Sequence, residues 1–119
     1  MAFDLVAVNA DYVARVSASL GADVLQPHGN SHGMVLSAVA DSASGDAALT
    51  LLGGAFDVVT MELKGNYLTP AFGPRVGALG RVMRAGRTLH VCSGDVYSCG
   101  DGPDKLVAHM VATMMVVLT

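Results

Sequence analysis

The residues best suited to chemistry lie around one loop and the segment it opens. Asp41 is one of only two charges, with Asp46, in residues 34–52, a stretch apolar almost all the way round. A carboxylate in such a setting is expensive unless something satisfies it or uses it. Its chemistry would be proton transfer or attack on an electrophile. Ahead of it runs Gln26-Pro27-His28-Gly29-Asn30-Ser31-His32-Gly33-Met34, a polar, Gly-rich loop. If a helix begins there, Gly33 stands at its start. Helix starts carry unbonded N–H groups and the positive end of the dipole, both favourable to a negative oxygen. With no Cβ, Gly33 lets such an oxygen approach closely.

The elements that must position these residues are legible in outline. Ala, Leu and Met are frequent from His32 or Gly33 to about Leu52, and Gly53-Gly54 follows as a stop, so the segment reads as one long helix. Ser37, Asp41 and Ser44 fall at steps of four and three and share a face. A helix so apolar is expected to be buried, with strands wrapped around it. Residues 3–8 read as a short strand or a helical turn, and 12–20 as a strand. Residues 56–68 alternate, with Val59, Met61, Leu63 and Tyr67 on one face and Thr60, Glu62, Lys64 and Asn66 on the other, as in a half-buried antiparallel strand. Thr69-Pro70 and Gly73-Pro74 break it. Strands are expected at 75–84, 88–97 and 106–118, with Ala85-Gly86-Arg87 as a hairpin turn and a turn-rich loop from Cys99 to Asp104. Met110, Met114 and Met115 read as core. The expected class is α+β: a strand, a long central helix, then four meandering antiparallel strands in one curved sheet.

Composition sets outer limits. A chain of 119 residues is expected to form one domain, residues 1–119. It is 52% hydrophobic and only 14% charged, a lean surface that points to burial against other copies. The net charge of -3 argues against nucleic-acid binding. No apolar run approaches the ~18 residues of a membrane span. The first residues lack the basic flank and apolar core of a signal peptide. Cys92 and Cys99 are too few for a disulfide framework and lack metal spacing, so reduced thiols in the cytoplasm are expected.

The chain resembles the phenylacetate-degradation-type (PaaI-like) thioesterases of the hotdog fold. Their signature is Asn or Gln, a Gly-rich loop, His-Gly-Gly and an acid eight places after the first of those glycines. Here Gln26, His32-Gly33 and Asp41 stand at those positions, and Met34 replaces the second Gly. Val59-Thr60-Met61-Glu62-Leu63 and Asn66-Tyr67-Leu68-Thr69-Pro70-Ala71 resemble the family's strand after the helix. Gly86-Arg87-Thr88-Leu89 and Lys105-Leu106-Val107-Ala108 resemble its later hairpins. The likeness runs from about Gly21 to the C-terminus.

The resemblance implies an acyl-CoA thioesterase acting on an aromatic (phenylacetyl- or hydroxyphenylacetyl-) or medium-chain acyl group. Water is the co-substrate, and no metal or redox cofactor is implied. Asp41 would be general base or nucleophile, and Gly33 N–H would polarise the thioester carbonyl. Gln26 would orient water or carbonyl, His32 would shape the oxyanion end, and Thr60 would help near the water. Asn30, Ser31 and Met34 would line the mouth, and Arg81, Arg84 and Arg87 would receive CoA phosphates. Eight helical residues span about 12 Å, too far for Gly33 and Asp41 of one copy to hold one carbonyl. The family's solution is a site between two copies, so a homodimer assembling into a homotetramer is expected, without nucleic acid or membrane. Two rivals are a hotdog dehydratase of 3-hydroxyacyl thioesters and a non-catalytic acyl-CoA-binding module.

Overall fold

A computed structural model describes residues 3–9, 13–19, 33–72, 74–100 and 102–119. Its elements are β1 (Phe3–Asn9), β2 (Val13–Ser19), α1 (Gly33–Leu49), β3 (Phe56–Tyr67), β4 (Arg75–Ala85), β5 (Leu89–Cys99) and β6 (Lys105–Leu118). Residues 3–8 belong to a strand, so two strands precede the helix. The helix is also shorter than its apolar pattern, because residues 50–52 bond back to carbonyls three residues earlier and close a tight final turn. Among the described residues, no helix is long and apolar enough to cross a membrane.

The strands form one antiparallel sheet in the order β1-β2-β4-β5-β6-β3, and α1 touches all six. The expected class is therefore the one observed, a helix held by a curved sheet. The expected four-strand meander holds only for β4, β5 and β6. β3 pairs with β6 at the far edge, and β4 pairs with β2. The connection after Tyr67 explains this. Three strand spacings separate β3 from β4, about 14 Å. Seven residues in extended form reach about 23 Å, ample for the crossing. Pro70 and Pro74 keep the connection from continuing a strand.

The helix is sealed on one side only. Val35, Leu36, Val39, Ala40, Ala43, Ala47 and Ala48 face the sheet and are buried, whereas Ser37, Ala38, Asp41, Ser42, Gly45 and Asp46 remain partly open. The expectation of burial all round is thus not met among the described residues, none of which covers the second side. Close docking on the first side rests on small residues. Gly80 and Gly94 pair across β4 and β5 beneath the helix. A Cβ on Gly80 would run into the Ala43 carbonyl and come within 2.6 Å of Ser44 N. One on Gly94 would lie 3.2 Å from Ser44 Oγ. Ser44 is accordingly fully buried, on the sheet side of the flank it shares with Ser37 and Asp41, and its hydroxyl has no partner among the described residues. Met110 and Met114 fill the core as expected. Met115 points to the outer face, because its neighbour in register is the exposed Leu89.

Candidate active site

Asp41 lies midway along α1, on the flank that turns toward β3. There Thr60 Oγ1 donates a hydrogen bond to Asp41 Oδ1 at 2.6 Å. One turn earlier on the same flank, the hydroxyls of Ser37 and Tyr67 share a hydrogen bond of 2.6 Å. Two hydroxyl bridges thus tie the helix to the strand at the sheet's free edge. The sheet-facing side of α1 is filled mainly by aliphatic packing, and among the described residues the side-chain hydrogen bonds from helix to strand lie at this seam.

Simple alternation puts Thr60 on the outward face with Glu62 and Lys64, and the structure corrects that. Thr60 pairs with Met114 and Glu62 with Thr113, leaving Met61 as one extra residue, a β-bulge. Before the bulge, Val58 and Thr60 face the helix. After it, Leu63, Gly65 and Tyr67 do: Leu63 packs on the core, a Cβ at Gly65 would overlap Met110, and Tyr67 reaches Ser37. The bulge reverses the parity of the strand and aims the Thr60 hydroxyl at the carboxylate. Thr60 Oγ1 also sits 3.3 Å from Met114 Sδ, so it is held from two sides. The strand is not half-buried either. As an edge strand it leaves Phe56, Val59, Met61 and Tyr67 exposed.

Gly33 is the first residue of α1 and Met34 the second. Gln26, His28, Asn30, Ser31 and His32 lie outside the described residues. Arg81 and Arg84 are exposed on β4 and point to the outer face, since Val76, Ala78 and Gly80 face the helix and Met83 forms a second bulge. Arg87 is exposed in the β4–β5 turn, where Gly86 N donates to Leu89 O at 2.8 Å. Within one chain, Arg81 and Arg84 therefore stand on the opposite side of the sheet from Asp41. Asp46, five residues beyond Asp41, is partly buried, and loss of solvation pushes its carboxyl above the usual carboxylate range.

The Ser37–Tyr67 bridge was not legible in the sequence. The only hint is that Ser37 sits one turn before Asp41. Two thiols and two imidazoles are also present among the described residues, with His109 Nδ1 2.5 Å from Asp95 Oδ1 on β5. Cys92 and Cys99 are free, with burial pushing the Cys92 thiol up to about 11. His90 is buried on the inner face, and its Nδ1 has no partner among the described residues.

Chemically, the seam offers a carboxylate with one oxygen fixed by a hydroxyl and the other without a hydrogen-bond partner among the described residues. Gly33 lies eight residues away on the same helix, about 12 Å along its axis. One chain cannot bring both to one atom.

A family model described as the thioesterase superfamily matches residues 28–103. No curated protein sequence matches significantly. Among solved structures, a thioesterase family protein from Silicibacter pomeroyi superposes with a TM-score of 0.92 at 32% identity, over 98% of this chain and 85% of that one. A phenylacetic acid degradation-related protein from Ralstonia eutropha JMP134 gives 0.85 at 25% identity, over 95% and 83%. A Bacillus halodurans protein solved with CoA gives 0.77 at 25%, over 89% and 67%.

Proposed function

Because this chain belongs to the thioesterase superfamily, and is a PaaI-like thioester hydrolase of the hotdog fold, we propose that it cleaves an acyl-CoA to the free acid and CoA. The Thr60–Asp41 hydrogen bond carries this reading, because it fixes a carboxylate at a partly open seam between helix and edge strand. The CoA in the similar Bacillus halodurans structure supports the substrate class.

The Thr60 hydroxyl occupies Asp41 Oδ1 and leaves Oδ2 for water. Asp41 takes a proton as the water oxygen bonds to the thioester carbon. The carbonyl oxygen becomes negative and is met by Gly33 N–H at the helix start. The C–S bond then breaks, and the thiolate leaves as CoA, taking up the proton. Gln26 orients the water or the carbonyl, His32 shapes the oxyanion end, and Asn30, Ser31 and Met34 line the mouth. Arg81, Arg84 and Arg87 are the basic residues proposed for the CoA phosphates, reached from a neighbouring copy. The acyl group is aromatic, phenylacetyl or hydroxyphenylacetyl, or medium-chain aliphatic.

The Gly33 to Asp41 separation supports a two-copy site, Gly33 of one chain serving Asp41 of the other. The open side of α1 and the exposed apolar edge of β3 support a homodimer. Exposed Leu89, Val111 and Met115 on the outer sheet face support pairing of dimers into a tetramer. The free thiols fit a reducing cytoplasm.

The test is acid and CoA release over a panel of acyl-CoAs, with wild type and Asp41→Ala. Wild type should turn over at least one of them, and Asp41→Ala should lose about 10²–10⁴-fold with the fold intact. Binding without release by wild type, or unchanged turnover in Asp41→Ala, would refute the reading.

A further inference from the structure

We infer that Met114 is a positioning residue for Asp41: its thioether sulfur is a second acceptor for the Thr60 hydroxyl, and the two acceptors share that hydrogen as the carboxylate gains and loses its proton. This rests on the reading of Asp41 as the base. The observation is one hydrogen placed between two acceptors. Thr60 Oγ1 lies 2.6 Å from Asp41 Oδ1 and 3.3 Å from Met114 Sδ. A threonine hydroxyl carries a single hydrogen, and a thioether sulfur is a weak acceptor for one.

The sheet fixes where that sulfur stands. Met114 and Thr60 oppose each other on β6 and β3, immediately before the extra residue Met61, and His90 opposes Met114 from β5. Met114 is 1% exposed and packs in a cluster with Ala48, Cys92 and Ala112. An unbranched methionine side chain ordinarily adapts to whatever gap it finds. Here neighbours from the helix and from both adjoining strands hold it. Met110, four residues earlier on β6 and equally buried, provides the contrast. Its sulfur fills the space that Gly65 leaves, where a Cβ would overlap it. Leucine would fill the core at position 114 with little loss of packing. Only a sulfur there adds an acceptor beside the hydroxyl.

The two acceptors differ in what they ask of Asp41. While Asp41 is ionised, its oxygen holds the hydrogen, because hydrogen bonds to charged groups are roughly twice as strong as neutral ones. When Asp41 takes the proton of water at Oδ2, that advantage is lost and the sulfur takes a larger share. No covalent bond changes at Thr60; its O–H turns about the C–O bond between Oδ1 and Sδ. The sulfur also favours the side-chain rotamer that directs Oγ1 toward the helix over one that directs it to solvent at this exposed edge. Both effects pass through the Thr60 hydroxyl, so they belong in kcat more than in KM.

A double-mutant cycle tests this. Met114→Leu is made in the full chain, alone and together with Thr60→Val, and kcat and KM are measured on the acyl-CoA that wild type hydrolyses fastest. Alone, Met114→Leu should lower kcat about three- to fivefold, the loss of one weak hydrogen bond, with KM within about twofold. With Thr60→Val already present it should lower kcat less than about twofold, because the hydroxyl it acts through is gone. Norleucine in place of every methionine keeps the side-chain shape without sulfur and covers the case in which Met114→Leu does not fold. Its effect is read in the same two backgrounds, where losses from the other methionines cancel. Equal losses in both backgrounds, or a Met114→Leu kcat within about twofold of wild type, overturn the role of the sulfur and leave Asp41 as the base. Wild-type turnover by Asp41→Ala overturns both.

Discussion

Replacing Thr60 by Val removes the hydroxyl that fixes Asp41 while keeping the side-chain shape. The lost bond, 2.6 Å from Oγ1 to Oδ1, is one to a carboxylate. Hydrogen bonds to charged groups contribute about 1.5–3 kcal/mol. The seam is open to water, which replaces part of that, leaving about 1–2 kcal/mol. At 1.36 kcal/mol per tenfold, kcat should fall about 5- to 30-fold. KM should change less, because the hydroxyl is bonded to Asp41, the proposed base. The assay is steady-state hydrolysis followed by thioester absorbance, which avoids interference from the protein's own thiols. Thr60→Ser should keep most of the activity. In an Asp41→Asn background, Thr60→Val should add less than about twofold, as residues that act as a unit are non-additive. A full loss in that background, or a Thr60→Val kcat within twofold of wild type, would mean the hydroxyl does not act through Asp41.

Three further outcomes follow from the packing and the charges. Gly80→Ala should cost about 1–3 kcal/mol in denaturant unfolding, since its Cβ meets the helix backbone at Ala43 and Ser44. Asp46→Asn should raise Tm at neutral pH. Desolvation raises this carboxyl's folded pKa, so the charged form opposes folding above it, and the penalty disappears as pH falls through the ordinary carboxylate range. Melts at both pH values check the sign: the variant's advantage should vanish in acid. In the native protein a thiol reagent should modify the partly exposed Cys99 slowly and Cys92 only after unfolding, because burial pushes both thiols up. Equal rates for the two would contradict the packing at Cys92.

Much of the fold could be read from local pattern, and the misses have a common cause. The helix was legible because a run of Ala, Leu and Val closed by Gly53-Gly54 has few other conformations. Asp41 was legible because its charge is nearly alone there. The β4–β5–β6 meander followed from short turns. The place of β3 did not follow, since a seven-residue connection can either turn back or cross, and only the pairing with β6 decides. The bulge at Met61 depends on that same pairing, so alternation alone put Thr60 on the wrong face. The helix looked buried all round because nearly all its residues are apolar, whereas the described residues cover only its sheet-facing side.

The central claim is that one reaction centre draws Gly33 from one copy and Asp41 from the other. Mixing two inactive variants tests it most directly. Gly33→Pro removes the backbone N–H at the first helical position, where Pro is tolerated. Asp41→Ala removes the proposed base. Each variant alone should be inactive. Unfolded and refolded together at equal amounts, half of the dimers are mixed and each mixed dimer holds one intact site, so activity should return to about a quarter of wild type. A mixture that forms mixed dimers yet stays as inactive as its parts would contradict the account.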